Sequence, residues 1–306
     1  MTAAVRLSSW HDGPTRQAIL DFVDASQALP VEDRVALFDH DGTLWCEKPV
    51  YAQLQFMIAR LHEAVAKDPS LGQRPEYKAL LDHDEAAQAD LGLPAIAMAL
   101  VELCAGIPPQ AFEDLVTGFM ETARHADRDV PIRQMRYVPM LELMAELRAH
   151  DFTVFIVTGG GTEFVRAISN DFYGVERERV VGSQVGYEFV RGGDGTPRLQ
   201  RTREVFGKVD EGEAKVVNLQ NGIGRRPVFA AGNSPGDTEM LQYVQAHDGP
   251  SLALLVNHDD TDREYAYVGR AETFTTTGSL VDEGRAQGWT IVSMKNDWRT
   301  VFDPVG

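Results

Sequence analysis

The sequence predicts an α/β fold: a doubly wound, mostly parallel sheet with helices on both faces and an inserted block of helices. Three observations predict it. Residues 35–38, 152–157 and 227–231 are short apolar runs, too brief and too uniform for amphipathic helices, and they read as buried central strands. Segments of helical spacing separate them, as a parallel sheet requires. Each run also ends in a polar, glycine-containing loop, which is where open α/β sheets bind ligands.

Taken in order, residues 14–29 place Ile19, Leu20, Phe22 and Val23 on one side and predict an amphipathic helix leading into the first strand. That strand, 35–38, runs into Asp39-His40-Asp41-Gly42-Thr43, with Gly42 supplying a bend that a larger residue resists. The character then changes. Segments 50–67, 77–91, 94–105 and 109–126 all carry helical spacing and almost no strand signal, with breaks at Asp68-Pro69, Gly92-Leu93-Pro94 and 106–109. This block exceeds what one crossover needs, so it reads as an inserted domain over 46–138, with the α/β core at 1–45 and 139–306. Pro139 begins a helix at 140–149, and the second strand, 152–157, ends in Thr158-Gly159-Gly160-Gly161-Thr162. Thr162 is expected to cap a helix over 163–173 that stops at Gly174. A β-hairpin excursion follows within 183–207, across Gly192-Gly193-Asp194-Gly195. After a helix at 213–219 comes the third strand, 227–231, ending in Gly232-Asn233-Ser234-Pro235-Gly236-Asp237 and a helix from Thr238. Runs 252–256 and 290–294 supply two further strands.

Composition removes several classes of function. A net charge of −17 over 306 residues leaves no basic stripe for nucleic acid or an anionic membrane. No apolar run is long enough to span a bilayer. Two cysteines, Cys46 and Cys104, are too few for a disulfide framework and are compatible with a reducing compartment, so a cytoplasmic location is expected.

Three strand ends thus carry polar loops in one sheet, and Lys215 stands on the helix before the third. Asp39-His40-Asp41-Gly42-Thr43, Thr158, Lys215 and 232–237 resemble the four ordered motifs of the haloacid dehalogenase superfamily. The helical block resembles that superfamily's α-helical cap in its usual position, and the similarity is greatest to the phosphoserine phosphatase-like and phosphorylcholine phosphatase-like branch. The resemblance implies a phosphatase that takes a small phosphomonoester, with Mg²⁺ as cofactor. It leaves oligomeric state and substrate open.

Phosphoryl transfer needs a nucleophile, a proton source for the leaving alcohol, and positive charge on the phosphoryl oxygens. Asp39 is expected to attack and form an aspartyl phosphate, with Asp41 as general acid and then base. Asp39, the Asp41 carbonyl, Asn233 and Asp237 are the expected oxygen ligands of Mg²⁺. Thr158 and the backbone at Gly159 and Gly160, with Gly42 and Thr43, are expected to hold phosphate, and Lys215 to offset the shared negative charge. Trp45 and Glu47 lie where a leaving group would sit.

Asn233 departs from the resemblance, because the superfamily carries an acid directly after that glycine; weaker metal binding is expected. In phosphoserine phosphatases a glutamate past the first motif receives the substrate amine, whereas the matching position here holds Lys48 beside Glu47. Lys208 is the rival of Lys215, but it follows the hairpin and does not lie on the helix leading to Asn233. Arg133 and Arg136 read as surface residues near a helix start, 258–261 as a helix cap, and Cys46 as a bystander. Gly159-Gly160-Gly161 lacks the spacing of a dinucleotide loop. The alternatives are a phosphotransferase or mutase, a haloacid dehalogenase, which needs no second aspartate, or a non-catalytic phosphate-binding protein.

Overall fold

In the computed structural model, which describes residues 5–303, the amphipathic segment after Gly13 forms α1 (Pro14–Ala25) with Pro14 at its first position. It tightens into a 3₁₀ turn at Ser26–Ala28, so the helix is shorter than its apolar spacing predicts. β1 (Val35–Asp39) follows, buried along its whole length. The side chains alternate across it as a strand requires: Val35 and Leu37 enter one hydrophobic cluster, Ala36 and Phe38 the other.

Five helices come next: α2 (Ala52–Lys67), α3 (Pro75–Leu81), α4 (Glu85–Leu91), α5 (Leu93–Glu102) and α6 (Pro109–Thr122). The expected single helix over 77–91 is broken at His83, which takes a left-handed φ of 52°, with Asp84 capping the new start by accepting from the Ala87 amide. α7 (Val138–Ala149) returns to β2 (Thr153–Gly161), and α8 (Thr162–Tyr173) ends on left-handed Gly174. Thr162 is not the cap: it is the first helical residue, and its hydroxyl donates to the Ser183 carbonyl.

β3 (Val180–Arg191) and β4 (Pro197–Phe206) form the hairpin. β3 is one strand where the sequence suggests two pieces; its first residues pair parallel with β2 and its remainder pairs antiparallel with β4. The chain is completed by α9 (Glu213–Gly222), β5 (Phe229–Gly232), α10 (Thr238–Gln245), β6 (Leu252–Asn257), α11 (Leu280–Gln287), β7 (Thr290–Ser293) and α12 (Met294–Asp297).

The strands order as β4-β3-β2-β1-β5-β6-β7, with every pair parallel except β3–β4. α1, α7 and α8 cover one face, while α9, α10 and α11 cover the other. The helices between β1 and β2 do not have a separate core. Phe56 of α2 packs against Phe112 of α6 and against Phe164 of α8, each at 5.7 Å, so their apolar contacts run on into the first face of the sheet. The hairpin also leans on them: Gly106 donates to the Arg201 carbonyl at 2.8 Å, Arg201 donates to the Ile107 carbonyl at 2.9 Å, and the Arg201 guanidinium lies 3.8 Å over the Phe112 ring. Where the chain leaves and rejoins the sheet, Cys46 donates to Met135 and Tyr137 to Leu44, both at 2.9 Å, which pairs the two crossings side by side. Among the described residues, no helix is long and apolar enough to cross a membrane.

Candidate active site

Parallel strands deliver their ends to one edge, and β1, β2 and β5 are adjacent there, so Asp39, Thr158 and Asn233 meet. Lys215, in the first turn of α9, reaches into the same place and is 2 % exposed. Its ammonium donates to Asp39 Oδ1 at 2.6 Å and to Asp237 Oδ1 at 2.5 Å. Burial alone disfavours the charged lysine, but the carboxylates of Asp237 and Asp39, with Asp210 behind them, outweigh it and hold the ammonium above its usual range. One cation between two buried anions leaves an excess negative charge. Burial and repulsion from Asp237 accordingly push the Asp39 carboxyl well above the ordinary aspartate range in spite of Lys215. The cluster favours one more positive charge. Lys208 is exposed and takes no part.

Asp41 is turned differently. Its Oδ1 accepts from Trp45 Nε1 at 2.7 Å, and its Oδ2 lies 3.6 Å from His40 Nδ1. Burial raises this carboxyl, yet His40 and the Trp45 bond prevail and hold it below its usual range. His40 itself is buried against Trp45 and bonded through Nε2 to Tyr173 Oη at 3.0 Å.

Several expected contacts fall elsewhere. Trp45 and Thr43 are buried like the rest of the cluster; Trp45 orients Asp41, and the Thr43 hydroxyl lies 3.3 Å from Asp39 Oδ2. Gly42 is buried too, at φ 75°, and a Cβ there would stand 2.0 Å from the Asn233 amide nitrogen. Its role is to let the loop pass Asn233, not to hold phosphate. Asp237 is engaged on both oxygens: its Oδ1 faces Lys215, and its Oδ2 accepts from the Asn233 and Ser234 amides and the Ser234 hydroxyl. A carboxylate three residues into a turn caps it, and sequence spacing does not reveal those bonds.

In the loop after β2, the Gly160 amide donates to Thr158 Oγ1 at 3.0 Å, which leaves the threonine hydroxyl proton free. The Gly161 amide is taken by Gln53 of α2 at 2.8 Å, and the Gly159 carbonyl by Ser183 Oγ. Glu47 is buried, its carboxyl pushed up by burial, with the Lys48 ammonium 3.6 Å away and itself 4.6 Å over the Tyr267 ring. Arg133 pairs with Asp171, and Arg136 donates to the Phe172 carbonyl, so both serve the surface of α8.

The Asn233 amide closes the site. The end facing the loop lies 3.2 Å from Thr43 Oγ1, 3.0 Å from the Asp41 carbonyl oxygen and 3.3 Å from Asp39 Oδ2. With its nitrogen there, its two N–H groups have these three oxygens as acceptors; with its oxygen there, it stands close to the Asp41 and Asp39 oxygens. Ligands on adjacent corners of a Mg²⁺ octahedron at about 2.1 Å stand roughly 3 Å apart, so the second arrangement matches such an ion. Among the described residues, no group of three or more His, Cys, Asp and Glu side chains has metal-holding geometry. The oxygen set that fits is therefore mixed: one carboxylate, one backbone carbonyl and one amide.

Sequence reasoning passed over His258, Glu264 and Gln53. His258 directly follows β6, on the edge where ligand loops gather, and that position was the available signal.

The family model described as haloacid dehalogenase-like hydrolase matches residues 36–242. Among solved structures, a protein of unknown function from Bordetella pertussis Tohama I is 19% identical with a TM-score of 0.54, over 85% of this chain and 97% of that one. A conserved functionally unknown protein from Anaerococcus prevotii DSM 20548 is 15% identical with a TM-score of 0.52, over 89% of this chain and 88% of that one. These two likenesses show the shared fold. A phosphoserine phosphohydrolase-like protein from Francisella tularensis subsp. tularensis SCHU S4 is 15% identical with a TM-score of 0.38, over 74% of this chain and 88% of that one. No curated protein matches the chain.

Proposed function

The chain belongs to the haloacid dehalogenase-like hydrolase family, and on that premise we propose that it hydrolyses a small organic phosphomonoester through an aspartyl phosphate on Asp39. The observation that carries this reading is the buried ion cluster in which Lys215 bridges Asp39 and Asp237, beside a second aspartate held by Trp45. In the first step the Asp39 carboxylate attacks phosphorus, the bond to the leaving oxygen breaks, and Asp41 gives that oxygen its proton. In the second, Asp41 takes a proton from water, the water oxygen attacks phosphorus, and the bond to Asp39 breaks to release inorganic phosphate. The Trp45 bond to Asp41 Oδ1 directs the other carboxyl oxygen to this work. The free Thr158 hydroxyl proton and the Lys215 ammonium supply positive charge to the phosphoryl oxygens.

Mg²⁺ would be held by Asp39, the Asp41 carbonyl and the Asn233 amide oxygen; when bound it draws negative charge from the phosphoryl group and shields Asp39 from it. The helices between β1 and β2 are read as a cap that limits water around the acyl phosphate, with Gln53 reaching back to the loop after β2. Lys48 already neutralises Glu47, which favours a leaving group other than serine. Halide departure needs no proton donor, so the fixed Asp41 carboxyl favours a phosphate ester over a haloacid. The two buried free thiols, Cys46 and Cys104, are in keeping with a cytoplasmic enzyme.

The test is phosphate release from a panel of phosphomonoesters, with Mg²⁺ and then with chelator. Metal-dependent release is expected, with Asp39→Asn about 10⁴-fold slower. Release from no ester by the folded, Mg²⁺-saturated protein would overturn the reading.

A further inference from the structure

We propose that His258 and Glu264 are a positioning pair that fixes the backbone of the nucleophile loop, with Glu264 orienting the His258 ring so that Nε2 donates to the Gly42 carbonyl. The proposal rests on the phosphomonoesterase reading for its kinetic consequence. Its geometry is independent of that reading.

His258 Nε2 lies 2.8 Å from the Gly42 carbonyl oxygen and 3.1 Å from Tyr267 Oη; a carbonyl only accepts, so the proton on Nε2 faces Gly42 at the shorter distance, with the stacked Tyr267 beside it. Nδ1 lies 3.2 Å from Glu264 Oε2. Glu264 takes three other donors: the Cys46 thiol at 3.1 Å and the Tyr137 hydroxyl at 2.9 Å on Oε1, and the Tyr265 amide at 2.6 Å on Oε2. Burial raises the Glu264 carboxyl, yet the bond to His258 and these donors prevail and hold it below its usual range. The pair is almost fully buried, with side chains 1% and 0% exposed, which is a costly arrangement to keep without a purpose.

The purpose follows from what the Gly42 peptide joins. On one side of Gly42 the Asp41 carbonyl faces Asn233; on the other, Thr43 places its hydroxyl at Asp39 Oδ2. His258 grips the carbonyl between them. Gly42 has no side chain to hold its place, and glycine has more backbone conformations open to it than any other residue, so holding its φ of 75° needs a grip from outside. Cys46 and Tyr137 are the residues whose amides pair the two crossings, so the same carboxylate also ties the departing and returning chain to the loop. His258 touches no reacting atom and acts through Gly42.

The experiment compares wild type, His258→Phe, His258→Gln and Glu264→Gln on an aryl phosphate, alongside calorimetric binding of inorganic phosphate. For His258→Phe, kcat is expected to fall about 10- to 100-fold while KM and phosphate affinity stay within about 3-fold. Glutamine can donate to Gly42, so His258→Gln is expected to recover most of kcat. A Phe variant within about 3-fold of wild type in kcat, or a Gln variant as slow as the Phe variant, overturns the proposal. If the Phe variant does not fold, the Gln variant and the ¹⁵N spectrum of His258 decide. A proton on Nε2, shared with the Gly42 carbonyl, is expected; an unprotonated Nε2 overturns the proposal. That spectrum still judges the pair if wild type releases no phosphate, an outcome that would sink the phosphatase reading alone.

Discussion

Asn233 and Lys215 carry the sharpest consequences at the scale of single residues. Replacing Asn233 by Asp adds a charge beside Asp39 and removes the amide that can donate to the Asp41 carbonyl. Asn233→Asp is therefore expected to bind Mg²⁺ about 10- to 100-fold more tightly by calorimetry and to melt at a lower temperature than wild type in chelator. Equal affinity in both proteins would show that the amide oxygen is no ligand. Lys215→Met leaves two buried carboxylates without their cation, and about 3–5 kcal/mol of stability is expected to be lost in denaturant titration. Asp39, Thr158 and Lys215 were legible because each is placed by the strand or helix it belongs to, and strand ends of a parallel sheet share an edge. Asp237 was legible as a member of the site but not in its bonds, since spacing cannot tell which donors reach its two oxygens first. His258 was legible by its place after a strand of the ligand edge but not by its partner: it meets Gly42 across 216 positions of sequence, and its neighbours Asp259 and Asp260 offered a simpler local account.

At the scale of elements, short apolar runs and glycine-rich ends made the strands of the core readable, because burial on both faces leaves so little freedom in composition. The hairpin was readable as a hairpin. Its docking was not, since the bonds between Arg201 and the turn after α5 are made by backbone groups that any sequence would offer. Hydrogen exchange is expected to separate the two ends of this element. The amides of Arg201 and Gly106 are expected to exchange slowly, with the helices they join, whereas the tip at Gly193 and Asp194 exchanges within seconds. Fast exchange at Arg201 would mean that the hairpin does not hold the helices. Gln53 is the corresponding link at the other end, joining the first turn of α2 to the loop after β2.

For the whole molecule, 46 acidic against 29 basic residues gives the net charge of −17, and self-repulsion opposes the compact state. Raising salt from about 0.02 to 0.2 M shortens the screening length to below about 10 Å, so the melting temperature is expected to rise. A fall would mean that the surface ion pairs outweigh the repulsion. The helices over the site are fastened by the paired crossings at Leu44–Cys46, by Gln53 on the loop after β2, and by the hairpin at Arg201. Three separate ties oppose a swing of these helices away from the sheet. On the proposed phosphatase reading, the opening to Asp39 would keep a nearly constant width, and the breadth of the alcohol would be selected before any charge on it is read.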